Sequence, residues 1–214
     1  MRIGEAALYL CTPDREDLAG FIEACVRGGV DVVQLREKRL GREELLERAR
    51  LAAAVCADLG VPFVLNDDPA GALECGADGA HVGQDDLPPQ RAREILGPGR
   101  LLGRSTHALP ELERALDEPV DYVSVGPVVP TPTKPGRPGT GLSYVAAAAR
   151  LLEERGSRLP FFVTGNARPD TVGGIVAAGA SRVVAVRYLT EAPDPAEAAR
   201  ALRGALEDAI AART

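Results

Sequence analysis

Residues 62–86 read PFVLNDDPAGALECGADGAHVGQDD and hold one full cycle of an alternating pattern. Pro62–Leu65 is a short apolar run of the strand type. Asn66-Asp67-Asp68 follows directly, and Asp68 stands where the N-cap of a helical segment belongs. Gly76 closes that segment. Gly79–Val82 is the next strand, and it too runs straight into polar residues, Gly83-Gln84-Asp85-Asp86. A strand, a helix and a second strand in so short a stretch describe a right-handed parallel unit.

The pattern continues in both directions. Further strands are expected at Ala7–Cys11, Val32–Arg36, Leu101–Arg104, Tyr122–Val125, Phe161–Thr164 and Arg182–Val186, which makes eight. Amphipathic segments lie between them, among them Arg42–Leu59, Pro89–Leu96, Pro110–Leu116, Tyr144–Glu154, Pro169–Ala178 and Pro195–Ala212. Pro13-Asp14, Pro88-Pro89, Pro110, Pro169 and Pro195 mark helix starts, and Gly28-Gly29, Gly60, Gly97 and Gly179 mark ends. Eight such units predict an α/β chain folded as a (β/α)8 TIM barrel, one domain over residues 1–214. An open doubly wound sheet would offer a G-x-G-x-x-G turn after its first strand, and Cys11-Thr12-Pro13-Asp14 is not one.

Composition narrows the function. The 23 glycines and 17 prolines fall at helix ends or in the long connection Pro127–Leu142, which is the pattern of a folded chain. Net charge is −6 and aromatic residues are 4% with no Trp, which argues against a nucleic-acid partner by backbone or stacking contacts. No run of 18 apolar residues and no leader pattern occur, so no membrane partner is expected. Cys11, Cys25, Cys56 and Cys75 form no C-x-x-C pair and read as reduced thiols of a cytoplasmic protein. Homo-oligomerisation is left open.

In a barrel the reacting groups stand at the C-terminal ends of the strands. Strand two ends Gln34-Leu35-Arg36-Glu37-Lys38, and a period of two puts Gln34, Arg36 and Lys38 on one face. Two cations there call for an anion; a rim ion-pair set with Glu37 is the alternative. Adjacent strands three and four bring Asp67 toward Asp85-Asp86, and crowded carboxylates call for a cation, with Mg2+ and substrate phosphate oxygens as the natural pairing. Asp68 is assigned to capping. Ser105 is placed to donate to a phosphate or a heterocycle, His107 is either a cap or a lining residue, and His81 reads as a core histidine. The long connection carries Thr131, Pro132, Thr133 and Lys134, hydroxyls and a charge on a Pro-stiffened segment, followed by a lid-like Pro135–Gly141. Gly165-Asn166 and Val186-Arg187 end strands seven and eight, where backbone N–H groups of many barrels hold a phosphate. Two anion sites imply a reaction between two phosphorylated molecules, one losing pyrophosphate.

Gln34 through Lys38, Asn66-Asp67, Ala77 through Gln84, Gly103 through His107, Asp121-Tyr122-Val123 running into Gly126-Pro127, and Thr131 through Lys134 with Gly141 resemble the thiamine phosphate synthase family in order and spacing along essentially the whole chain. The resemblance implies a TIM-barrel transferase that joins hydroxymethylpyrimidine diphosphate to thiazole phosphate with Mg2+. By position, Gln34, Leu35, Arg36, Glu37, Lys38, Asn66, Ser105 and Lys134 would bind the pyrimidine diphosphate, and Asp67 and Asp86 would hold Mg2+. Thr131, Pro132, Thr133, Gly165, Asn166, Val186 and Arg187 would bind the thiazole phosphate. Arg36, Lys38 and Lys134 would stabilise the departing pyrophosphate in a dissociative reaction with no general base. The chain departs from the family at Asn166, where Gly-Gly is usual, and at Arg187, where small residues are common; Asn tolerates a positive φ. The alternatives are a thiazole tautomerase of the same barrel type and a non-catalytic phosphate-binding barrel.

Overall fold

The computed structural model describes residues 3–130 and 138–213. A short 3-10 turn, Ile3–Glu5, leads into strand β1, Leu8–Thr12. There follow α1 (Leu18–Arg27), β2 (Val32–Leu35), α2 (Arg42–Leu59), β3 (Phe63–Asn66), α3 (Pro69–Cys75), β4 (Gly79–Val82) and α4 (Pro89–Leu96). The second half is β5 (Leu101–Thr106), α5 (Leu109–Leu116), β6 (Tyr122–Val125), α6 (Gly141–Glu154), β7 (Phe161–Val163), α7 (Val172–Ala177), β8 (Val183–Ala185), α8 (Arg187–Thr190) and α9 (Pro195–Arg213). The eight strands pair in sequence order, all parallel, and β8 pairs with β1 to close the barrel.

Strand alternation divides the chain between two cores. Leu8, Leu10, Val33, Leu35, Phe63 and Leu65 point outward and pack under the helices. Tyr9, Val32, Val64, Tyr122, Phe162 and Val184 point inward and fill the barrel. Phe162 packs edge-on to Tyr9 at 5.4 Å and to Tyr122 at 5.7 Å between ring centroids. These rings make a floor, and the polar residues of the next layer stand above it.

Local signals account for most helix ends. Asp68 accepts from the Gly71 N–H at 2.8 Å, as its capping assignment required. Gly60 and Gly76 end α2 and α3 in the left-handed conformation. Two proline-marked starts move. The segment at Pro13-Asp14 stays irregular because Asp14 is held by Arg48 at 2.6 Å, so α1 begins at Leu18. Helix α7 begins at Val172 rather than Pro169, because the Thr171 hydroxyl donates to the Asn166 carbonyl at 2.6 Å and holds the chain in a local turn. Strand β5 runs two residues past its expected end, and α6 starts three residues earlier, at Gly141.

The N-terminal face is braced separately. Asp31 accepts from the backbone N–H groups of Ala7 and Leu8 at 2.7 and 2.9 Å and pairs with Arg203 of α9 at 2.7 Å. This triple contact ties the starts of β1 and β2 to the last helix. Among the described residues no helix is long and apolar enough to cross a membrane.

Candidate active site

A cavity of about 700 Å³ opens above the aromatic floor at the C-terminal ends of the strands. The strand registers set polar pairs along its wall: Cys11 lies beside Gln34, Asn66 beside His81, and Ser105 beside Ser124. Gln34, Arg36, Asn66 and Ser105 line it from β2, β3 and β5. Gly165, Asn166, Val186 and Arg187 line it from the turns after β7 and β8. The four last residues are therefore gathered with the first four, as their positions in the sequence implied.

Lys38, Asp67 and Asp86 form a cluster on the β2–β4 side. Lys38 Nζ lies 2.9 Å from Asp67 Oδ2. The Asp67 carboxyl is raised from its ordinary range by burial and by the hydrogen bond it shares with Asp86. Burial works to raise Asp86 as well, but the hydrogen bond with Asp67, the Gly83 N–H at 2.6 Å and the charges of Lys38 and Arg104 hold it low. Two hydrogen-bonded carboxyls beside one lysine gather oxygen donors of the kind a hard cation takes. The pair therefore fits Mg2+. Among the described residues no group of three or more His, Cys, Asp or Glu side chains could hold a metal, so a cation here would need other oxygens.

Among the described residues, Asp67 and Asn166 are the non-glycine residues with positive φ, each at 65°. Such a conformation is strained for a residue with a Cβ, and both strained residues stand at the two ends of this site. Gly165 has φ of 100°, and a Cβ there would lie 2.5 Å from the Val128 nitrogen, so only glycine fits the turn against the β6 loop.

Of the described assigned residues, Lys38, Asp67 and Asp86 do not line the cavity but form the acid cluster, and Leu35 and Glu37 join neither. Leu35 is fully buried on the outer side of the barrel. Glu37 is turned back on its own loop: its carboxylate accepts the Arg39 N–H at 2.7 Å and pairs with the Arg39 guanidinium at 3.0 Å. Those contacts, led by the Arg39 side chain, pull its carboxyl down to about 2. Regular alternation stops at Leu35, where β2 ends, so the expected face carries Gln34 and Arg36 into the cavity while Lys38 goes to the acid pair. Thr131, Pro132, Thr133 and Lys134 lie outside the described residues. His107 precedes α5, whose N-cap is Ala108: its backbone N–H donates to the Glu111 carboxylate at 2.7 Å and its ring contacts the Gly126 carbonyl.

Sequence reasoning passed over Tyr9, Cys11, Tyr122 and Ser124, which share the cavity wall or floor. The signal was available, since each is on the inward phase of a strand whose neighbour carries a polar inward residue. His81 is buried and hydrogen-bonded as expected, yet it also faces the cavity, with Nδ1 3.2 Å from Tyr122 Oη and Nε2 2.9 Å from Ser105 Oγ.

The family model described as thiamine monophosphate synthase matches residues 8–189. A thiamine-phosphate synthase of Thermobifida fusca is 46% identical over 216 aligned positions, covering 99% of this chain and 97% of its own. One of Thermus thermophilus is 48% identical over 181, covering 85% of each chain. The solved thiamine phosphate pyrophosphorylase of Pyrococcus furiosus superposes with a TM-score of 0.85 at 23% identity, over 97% of this chain and 98% of its own, which speaks to the fold.

Proposed function

The chain belongs to the thiamine monophosphate synthase family, transferases that make thiamine phosphate, and we propose that its barrel mouth joins hydroxymethylpyrimidine diphosphate to thiazole phosphate with release of pyrophosphate. The observation that carries this reading is the division of the site into two poles. Arg36, Lys38, Asp67 and Asp86 stand on β2–β4, while Gly165, Asn166, Val186 and Arg187 stand on β7–β8. Gln34 and Ser105 belong to the layer between them.

The first pole receives the diphosphate. Arg36 and Lys38 bind its oxygens, with Asp67 and Asp86 presenting carboxylate oxygens for Mg2+. Bound there, Mg2+ would neutralise the diphosphate and favour its departure. Asn66, Gln34 and Ser105 orient the pyrimidine. At the second pole, Gly165 and Asn166 offer backbone N–H groups to the thiazole phosphate, joined by Val186 and Arg187. Arg187 is exposed at the cavity and forms no ion pair among the described residues, which leaves its guanidinium for a phosphate. The resemblance adds Thr131 through Thr133 to this pole and Lys134 to the first.

The methylene–oxygen bond breaks with its electron pair on pyrophosphate. The thiazole nitrogen then gives its lone pair to the methylene carbon. No proton moves at the reacting atoms, so Arg36, Lys38 and Lys134 act by stabilising charge, and the two poles act by alignment. The four cysteines are thiols outside any disulfide, which supports a cytoplasmic setting, and residues 1–214 act as one domain.

Incubation with both phosphorylated substrates and Mg2+ tests the reading. Thiamine phosphate and pyrophosphate should form together in equal amounts. Isomerisation of a thiazole phosphate without pyrophosphate would replace it with the tautomerase reading.

A further inference from the structure

We infer that Tyr9, Tyr122 and His81 form a hydrogen-bond chain of fixed direction across the barrel floor, and that this chain sets how Gln34 and Ser105 present themselves to the pyrimidine. The inference rests on the assignment of those two residues to the pyrimidine. It makes Tyr9, Tyr122 and His81 positioning residues.

The direction follows from counting donors. The Gln34 amide nitrogen only donates, and it lies 3.0 Å from Tyr9 Oη. The Cys11 thiol donates to the Gln34 amide oxygen at 3.2 Å, which agrees with that orientation of the amide. Tyr9 is buried, so its own proton needs an acceptor, and Tyr122 Oη lies 2.9 Å away. Tyr122 is fully buried in turn and directs its proton to His81 Nδ1 at 3.2 Å. The ring proton of His81 is thereby on Nε2, which donates to Ser105 Oγ at 2.9 Å. The opposite direction would bring the Gln34 and Tyr122 protons onto Tyr9 together and strand the Tyr9 proton. Ser105 thus accepts from His81, and its own hydroxyl proton turns away from the imidazole.

Gly103 makes the chain possible. A Cβ at this position would lie 2.4 Å from both Tyr122 Oη and His81 Nδ1, inside the hydrogen bond itself. Phe162 packs edge-on against both tyrosine rings and fixes their planes.

The chain contains two histidines, so ¹⁵N-histidine NMR of the whole protein, with His107→Asn for assignment, reads the tautomer directly. His81 should carry its proton on Nε2, and Tyr122→Phe should release it to a mixture. Kinetically, Tyr122→Phe should raise KM for the pyrimidine diphosphate about tenfold, the loss of one ordered hydrogen bond. KM for the thiazole phosphate should hardly change, and the melting temperature should fall by several degrees, because the buried Tyr9 proton loses its acceptor. Combined with Ser105→Ala, Tyr122→Phe should cost nothing further. Tyr9→Phe cuts the chain one step earlier and serves if Tyr122→Phe does not fold. A proton on His81 Nδ1 in the unmodified protein, or a pyrimidine KM unmoved by the tyrosine variants, overturns the inference. A protein that couples no substrates overturns the functional reading instead, and the tautomer then decides the chain.

Discussion

Lys38 and Asp67 are joined by an ion pair of 2.9 Å that links the loop after β2 to the end of β3, and the same Asp67 carboxyl hydrogen-bonds to Asp86. Asp67 holds a left-handed backbone, which Asn adopts as readily as Asp. Asp67→Asn therefore removes the charge and keeps the turn. Turnover should fall about 100-fold or more, as when a preorganised electrostatic group is lost. The melting temperature should stay within about 3 °C. Near-normal turnover would remove Asp67 from the reaction.

Asn166 carries the other left-handed backbone, beside Gly165. Asn166→Gly relaxes that conformation and leaves the backbone N–H in place. The KM for thiazole phosphate should be preserved or lowered, and stability should change by less than about 1 kcal/mol. A marked rise in KM would mean that the Asn166 side chain makes a contact of its own.

Asp31 sits on the opposite face, accepting two backbone N–H groups and the Arg203 guanidinium. Asp31→Ala leaves those buried donors without their acceptor and should cost about 2–4 kcal/mol in urea unfolding. Both KM values should be unaffected, since this face braces the barrel and binds no substrate. A selective change in one KM would contradict that division.

Burial pushes the Cys25 and Cys56 thiols up to about 12 from a reference value of 9.0. Below pH 9 both stay protonated in either state and contribute no pH dependence. Above it the unfolded chain loses these protons first, so the unfolded state gains and stability falls as pH rises from about 9 toward 12. Melting curves over that range should show the fall, and Cys25→Ala with Cys56→Ala should flatten it. In the native protein at pH 8 neither thiol should react with a disulfide reagent until urea is added.

How much was legible in the sequence depends on the length of the pattern. All eight strands could be read, because buried parallel strands are short apolar runs punctuated by glycine and proline. Asp67 could be set beside Asp85-Asp86, because adjacent parallel strands bring their ends together, and the resemblance singled out Asp86. Where Glu37 turns could not be read, for a physical reason: alternation holds only within a strand, β2 ends at Leu35, and beyond it the carboxylate folds back onto the Arg39 N–H. Tyr9 and Tyr122 were hidden because an inward aromatic looks the same in sequence whether it fills a core or floors a cavity. The start of α7 depended on a single Thr171 hydroxyl, which no apolar periodicity records.

In the proposed function the Asp67–Asp86 pair holds Mg2+ for the diphosphate. Calorimetric titration of hydroxymethylpyrimidine diphosphate, with and without millimolar Mg2+, tests it most directly in the unmodified protein and in the Asp67→Asn, Asp86→Asn double variant. Mg2+ should tighten binding at least about tenfold in the former and hardly at all in the latter. Equal tightening in both, or none in the unmodified protein, would contradict it.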